Sequence, residues 1–173
     1  MATSSMLPQG PGCMFWTEYD YMDQNMNWSD GSPAPAADNG DKDIRTDFMT
    51  LGFQDMFNRE WGVQAELPFD YRQYKATDGG ADQWKSLGDV RLEGIYTGFQ
   101  PDMSAGVTFG VKLPTGNFTH DSSLLDRDLE IGTGSTDLLL GGFYRHTLNS
   151  VTYGLYWYAQ VELDVPILIQ DQY

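Results

Sequence analysis

At 173 residues the chain is long enough for one domain with a real core. Lys and Arg number 10 against 25 Asp and Glu, and the net charge of −15 argues against nucleic acid and against docking on an anionic membrane surface, both of which need clustered cations. A single cysteine, Cys13, excludes an intrachain disulfide, and no run of about 18 apolar residues offers a transmembrane helix.

The opening MATSSMLPQGPG has neither a basic region nor an apolar stretch, so it is no signal peptide. The expectation is a cytosolic chain or one whose leader was removed before residue 1. From residue 14 a strand pattern begins. Met14 to Asp23 places Phe15, Thr17, Tyr19 and Tyr21 on one face and Glu18 and Asp20 on the other. Ile44 to Phe57 alternates less cleanly. Trp61 to Tyr71 alternates strictly: Trp, Val, Ala, Leu, Phe and Tyr at odd positions, with Gln64, Glu66 and Asp70 between. Pro68 interrupts its ladder and belongs near a strand end or a bulge. Val90 to Phe99 carries Arg91 and Glu93 opposite Val90 and Leu92. Ala105 to Leu113 sets Val107, Phe109 and Val111 against Thr108, Gly110 and Lys112. Thr136 to His146 carries Asp137 and Arg145 opposite Leu138, Leu140 and Tyr144. Val151 to Leu163 repeats the strict alternation, with Gln160 and Glu162 on its polar side. A period of two over about seven segments, with no amphipathic helix, predicts an all-β chain.

The connections alternate in length. Residues 58–60, 100–102 and 147–150 are short, whereas loops at about 24–43, 72–89 and 114–135 are long. That rhythm suits an antiparallel up-and-down transmembrane β-barrel, with short periplasmic turns and long outer loops. Residues 1–13 form an N-terminal periplasmic segment on this reading, and 14–173 the barrel strands. The polar face carries Glu18, Asp20, Glu66, Asp70, Arg91, Glu93, Lys112, Asp137, Arg145 and Glu162. Charges of both signs suit a lumen, with Glu66 pairing Arg91, and Arg91 or Glu93 meeting Lys112. The apolar stripe faces lipid, and Trp61, Phe69 and Tyr71 form an interfacial girdle. Bacterial barrels usually have an even strand number, so seven strands predict either a fragment of a larger barrel, with strands after residue 173, or closure by a partner chain.

Asp23, Asn25, Asn27 and Asp30 supply oxygens at near-alternate spacing, as in a calcium loop. Trp28 stands where the turn glycine belongs and no Glu fills the twelfth position, so an ordinary polar loop is the stronger reading. Asp121, Asp126, Asp128 and Glu130 would bind Ca²⁺, or bridge lipopolysaccharide phosphates through divalent ions, if they do more than solvate a loop. Met1, Met6, Cys13, Met14, Met22 and Met26 are too irregular for a Cu(I) site. His120, Ser122, Ser123 and His146 lack a nucleophile motif. No enzyme and no cofactor are expected, calcium excepted.

Leu87-Gly88-Asp89, Lys112-Leu113-Pro114-Thr115-Gly116 and Gly132-Thr133-Gly134-Ser135 with Asp137 carry a resemblance. Together with Glu66-Leu-Pro-Phe-Asp-Tyr-Arg72, they resemble the outer-membrane β-barrel family of transporters assigned to the meta-pathway of phenol degradation, over roughly residues 44–164. The resemblance implies a porin-like barrel in a Gram-negative outer membrane, passing small solutes, hydrophobic ones included, by diffusion. The alternatives are a soluble all-β module binding a ligand or carbohydrate, and a structural barrel scaffolding a partner protein.

Overall fold

The computed structural model describes residues 10–25, 28–29, 32–33, 43–75, 80–117, 130–149 and 155–169. They form ten strands: β1 (Gly12–Gln24), β2 (Trp28–Ser29), β3 (Ser32–Pro33), β4 (Asp43–Met56), β5 (Trp61–Lys75), β6 (Ala81–Leu87), β7 (Val90–Tyr96), β8 (Ala105–Leu113), β9 (Ser135–Asn149) and β10 (Leu155–Ile169). Seven of them pair in the order β1-β4-β5-β7-β8-β9-β10, every neighbour antiparallel, and the sheet curls into a half-barrel. β6 adds an eighth strand on β5, and β2 and β3 form a separate small hairpin.

The alternation predicted from the sequence is present, but its polarity is inverted relative to a water-soluble core. Along β5 the outer face reads Trp61, Val63, Ala65, Leu67, Phe69 and Tyr71, with Trp61, Val63 and Phe69 exposed. The inner face reads Gly62, Gln64, Glu66, Asp70, Arg72 and Tyr74, all buried. In β8, Val107 and Phe109 are exposed whereas Thr108 and Lys112 are buried. Among the described residues 14 polar or charged side chains are buried against 9 hydrophobic ones, while 22 large hydrophobics are exposed. The greasy stripe therefore points away from the protein interior.

The inner face is stratified along the strands. At the short-turn end Met56, Ile95, Met103 and Phe143 form an apolar cluster. Gln54, Gln64 and Glu93 come next, joined through the Gln64 side-chain amide. Charged residues follow, and at the far end Tyr74 and Trp84 pack with Ile44 and Ile131. Trp16 also fills the concave side, lying flat over Gly52, where any Cβ would come within 1.9 Å of the indole.

Several expected boundaries move. Residues 72–89, read as a loop, hold the last residues of β5 and all of β6. Past Tyr71 the outer positions are Gln73 and Lys75, so the apolar stripe stops while the strand continues. The last strand runs to Ile169, beyond Leu163, so Pro166 to Ile169, where the next long loop was expected to begin, belong to it. The strand expected through Phe99 ends at Tyr96. Pro68 is not at a strand end but sits at a bulge-like irregularity, where two residues of β5 face three, Gly88 to Val90. It lies where β5 changes partner, between the Glu66–Arg91 pairing with β7 and the Phe69–Leu87 pairing with β6. A missing N–H costs least there, and the Pro68 carbonyl is used, accepting from Gly88 N at 2.9 Å.

Candidate functional site

Antiparallel register sets Glu66, Arg91, Lys112 and Asp137 side by side across β5, β7, β8 and β9 on the concave face. Two adjacent cations would repel unless each found an anion, and both do. Lys112 pairs with Asp137 on the next strand and with Asp164 on β10 at 3.3 Å. Arg91 reaches over β8 and β9 to Glu162, with Asp164 at 3.8 Å. Lys112 and Asp137 are almost wholly buried, so this pair is a structural commitment, not a surface contact.

The far rim is tied by Asp89. Its Oδ1 accepts from Gly116 N at 3.0 Å, and its Oδ2 accepts from Thr133 N at 2.9 Å and Thr133 Oγ1 at 2.6 Å. Thr115 Oγ1 donates to Gly88 O and accepts from Val90 N. Gly116 and Gly132 pass so closely that a Cβ on Gly116 would sit 2.7 Å from the Gly132 Cα. The segments 87–89, 112–116 and 132–135 are thus one hydrogen-bonded clasp. It fixes the rim of the sheet and the start of β9.

Below the clasp lies a cavity of about 320 Å³. Residues from β1, β4, β5, β7, β8 and β10 line it, so the curl of the sheet brings the first and last strands to one space. Its acidic side chains are Glu18, Asp20, Glu66, Asp70, Asp89 and Asp164, and its basic ones Arg72, Arg91 and Lys112. Arg72 is held by Thr46 Oγ1 at 3.1 Å and the Glu130 carbonyl at 2.9 Å. With Arg91 and Lys112 engaged on the β10 side, the wall built by β1 and β5 holds four acids, Glu18, Asp20, Glu66 and Asp70, against the single cation Arg72.

The short-turn end is closed differently. Asn58 Oδ1 accepts from Glu60 N and Trp61 N, Thr97 Oγ1 donates to Arg59 O, and Arg59 Nη1 donates to Pro101 O. Met103 takes a left-handed backbone, φ 58°, which turns its side chain into the apolar cluster. Ser104 N and its hydroxyl bond the Asp102 carboxylate, holding that carboxyl below its ordinary value.

All ten charges expected in the lumen fall on the concave face, though not in the expected pairs. Glu66 and Arg91 are register partners, but Arg91 goes to Glu162, while Glu66 accepts from the Gln64 amide at 3.0 Å. Of the two residues expected to meet Lys112, Arg91 lies opposite it, whereas Glu93 lies opposite Gly110. Arg145 reaches back to the Asp102 carbonyl at 3.4 Å, which ties it to a turn. Of the calcium candidates, Asp23 pairs with Arg45 at 3.6 Å on the outer face, Asn25 follows β1, and Asn27 and Asp30 lie outside the described residues. Also outside them are Met1, Met6, Met26, His120 to Ser123, Asp126 and Asp128. Among the described residues no three His, Cys, Asp or Glu side chains converge to hold a metal ion. Arg72 and Asp164 also fall on the concave face, where the sequence had not placed them. The signal was there in the continued period of two, two residues beyond Asp70 and Glu162.

No family model and no curated protein matches this chain.

Proposed function

We infer that this chain forms the wall of an outer-membrane β-barrel, and that its concave face is a path for small solutes moving by diffusion. One observation carries the reading: along β5 the outer face is apolar over a band of defined height, which on the neighbouring β4 narrows to Met49, Leu51 and Phe53 between Asp47 and Asp55. From Trp61 to Tyr71 the outer side of β5 spans ten steps of about 3.4 Å, roughly 34 Å. At the usual strand tilt of about 40° this is a band about 26 Å tall, against the ~25 Å of a barrel's lipid-facing surface. Aromatic rings mark one margin, where Trp61 meets Tyr96 at 4.7 Å and Tyr96 meets Phe99 at 5.1 Å. Tyr19, Tyr21 and Tyr71 mark the other. Past them the outer face turns charged, with Asp23, Arg45, Asp43 and Lys75. A water-soluble sheet has no reason to confine its exposed apolar side chains between aromatic borders.

The resemblance of the clasp segments to outer-membrane transporters agrees with this reading. The short turns face the periplasm and the longer connections the exterior. The test is electrophoretic mobility of membrane-extracted protein, boiled against unboiled. A faster unboiled band, lost on boiling, is expected. A single band from protein that stays dispersed without detergent would instead make the cavity the ligand site of a water-soluble module.

A further inference from the structure

The cavity wall has two unlike halves. On the β7 to β10 side each cation has its anion: Arg91 with Glu162, Lys112 with Asp137, and Asp164 beside both. On the other side, Glu18 and Asp20 of β1 and Glu66 and Asp70 of β5 line the same cavity. Among the described residues none of these four has an ion pair within 4.0 Å. β4 runs between β1 and β5, and register places Phe48 opposite Asp20 on one side and opposite Asp70 on the other. Phe48 lines the cavity too, 7% exposed. Asp70 is only 9% exposed, and its Oδ1 has no hydrogen-bond partner.

Glu66 accepts from the Gln64 amide, and Arg72, the one cation on this side, is held by Thr46 and the Glu130 carbonyl, so four acids share one cation and Asp70 Oδ1 keeps no donor. A buried carboxylate oxygen without a donor is unfavourable, and a ligand that brings a donor and a positive charge removes the penalty. The acids need positive charge, and the aromatic ring between them favours a cation with an apolar body over a hydrated ion. A divalent metal fits poorly, because no three carboxyl groups converge on one point among the described residues. The cavity, about 320 Å³, lies at the small end of ligand pockets.

We propose that the cavity is a binding station for small organic cations, their ammonium or guanidinium group held among Glu18, Asp20, Glu66 and Asp70 and their apolar body against Phe48. The station rests on the reading of the concave face as a solute path and names the class of solute. Titration calorimetry of the full chain folded in detergent tests it, with benzylammonium chloride, the similarly shaped neutral benzyl alcohol, and calcium chloride. Benzylammonium is expected to bind saturably and at least tenfold more tightly than benzyl alcohol. The Glu66→Gln/Asp70→Asn variant should lose at least tenfold for benzylammonium and little for benzyl alcohol, with its strand circular dichroism retained. If that variant does not fold, the contrast between the two probes on the unaltered protein decides. Equal binding of the two, no binding of benzylammonium, or its stoichiometric displacement by calcium overturns the proposal. Loss of the station with a heat-shifted band intact leaves the solute path standing. Cation-selective binding by protein that needs no detergent keeps the station and removes the membrane path.

Discussion

On the convex face of the sheet Phe109, Leu140 and Leu163 sit in one register row, each between 44% and 59% exposed. Within the same strands, Lys112 and Asp137 are 7% and 3% exposed on the concave face. The convex side chains carry no polar group and so make no directional demand on their surroundings. The concave ones are charged, desolvated and committed to named partners. A side chain on the first face is thus stabilised by whatever solvent lies outside, and one on the second by the protein itself. Substitutions on the two faces should respond differently to a change of solvent, and that difference tests the whole reading.

The largest effect belongs to the concave face. Lys112→Ala leaves Asp137 buried without its cation and should cost about 3–5 kcal/mol in urea unfolding, in detergent and in lipid alike. Lys112→Met with Asp137→Leu removes both charges and should recover most of that loss. A recovery of less than half would mean that Asp164 and Arg91 depend on the pair for their own positions.

The convex face supplies the sharper contrast. Leu140→Arg should cost about 2–4 kcal/mol when the protein is folded into phospholipid vesicles, the range for an arginine at a barrel's lipid-facing midplane. On a face wetted by water the same change should stay within about 0.5 kcal/mol. An indifferent Leu140→Arg would remove the distinction between the faces.

Asp89 comes next. Asp89→Ala releases Gly116 and both Thr133 donors, and should destabilise by about 1.5–3 kcal/mol, the range for hydrogen bonds to a charged group. Amide exchange should quicken at Gly116 and Thr133 and stay unchanged at Trp61. Exchange that quickens equally at both ends would mean that the clasp is no separate unit.

The smallest effect lies in the turn before β8. Asp102 is depressed below its ordinary 3.8 by the bonds from Ser104, so its contribution is complete above that pH. It is lost as pH falls through the lower folded value. Asp102→Asn should lower stability slightly at neutral pH, where the contribution is complete, and should remove the acid-side loss, so that variant and parent converge below about pH 4. No loss at neutral pH would mean that the carboxylate adds nothing to the turn.

Much of this architecture was legible in the chain. The strict alternation in β5 and β8 located both strands and named which side chains share a face, because side-chain direction in a strand has period two regardless of neighbours. The same signal failed at Gln73 and Lys75, where the outer surface turns polar while the backbone stays extended. Apolar periodicity reports the height of the greasy band, not the length of the strand. β6 escaped for a related reason: Ala81–Leu87 pairs only with the polar end of β5 and carries little apolar alternation. The site was half visible. All ten charges of the concave face could be assigned to that face, but which carboxylate Arg91 would choose could not. Glu66 is its neighbour by register, and Glu162, which it takes, is 71 residues away.

By itself the sequence determined the seven long strands and which side chains share each of their faces, since these follow from local stereochemistry. The direction in which the apolar face points was decided by the curl of the sheet. Only the tertiary structure decided the partners. The curl of the sheet carries β10 toward β7, unites three distant turn segments around Asp89, and sets Phe48 between two pairs of acids. Those contacts arise from register and curvature summed over seven strands, and no local pattern encodes such a sum.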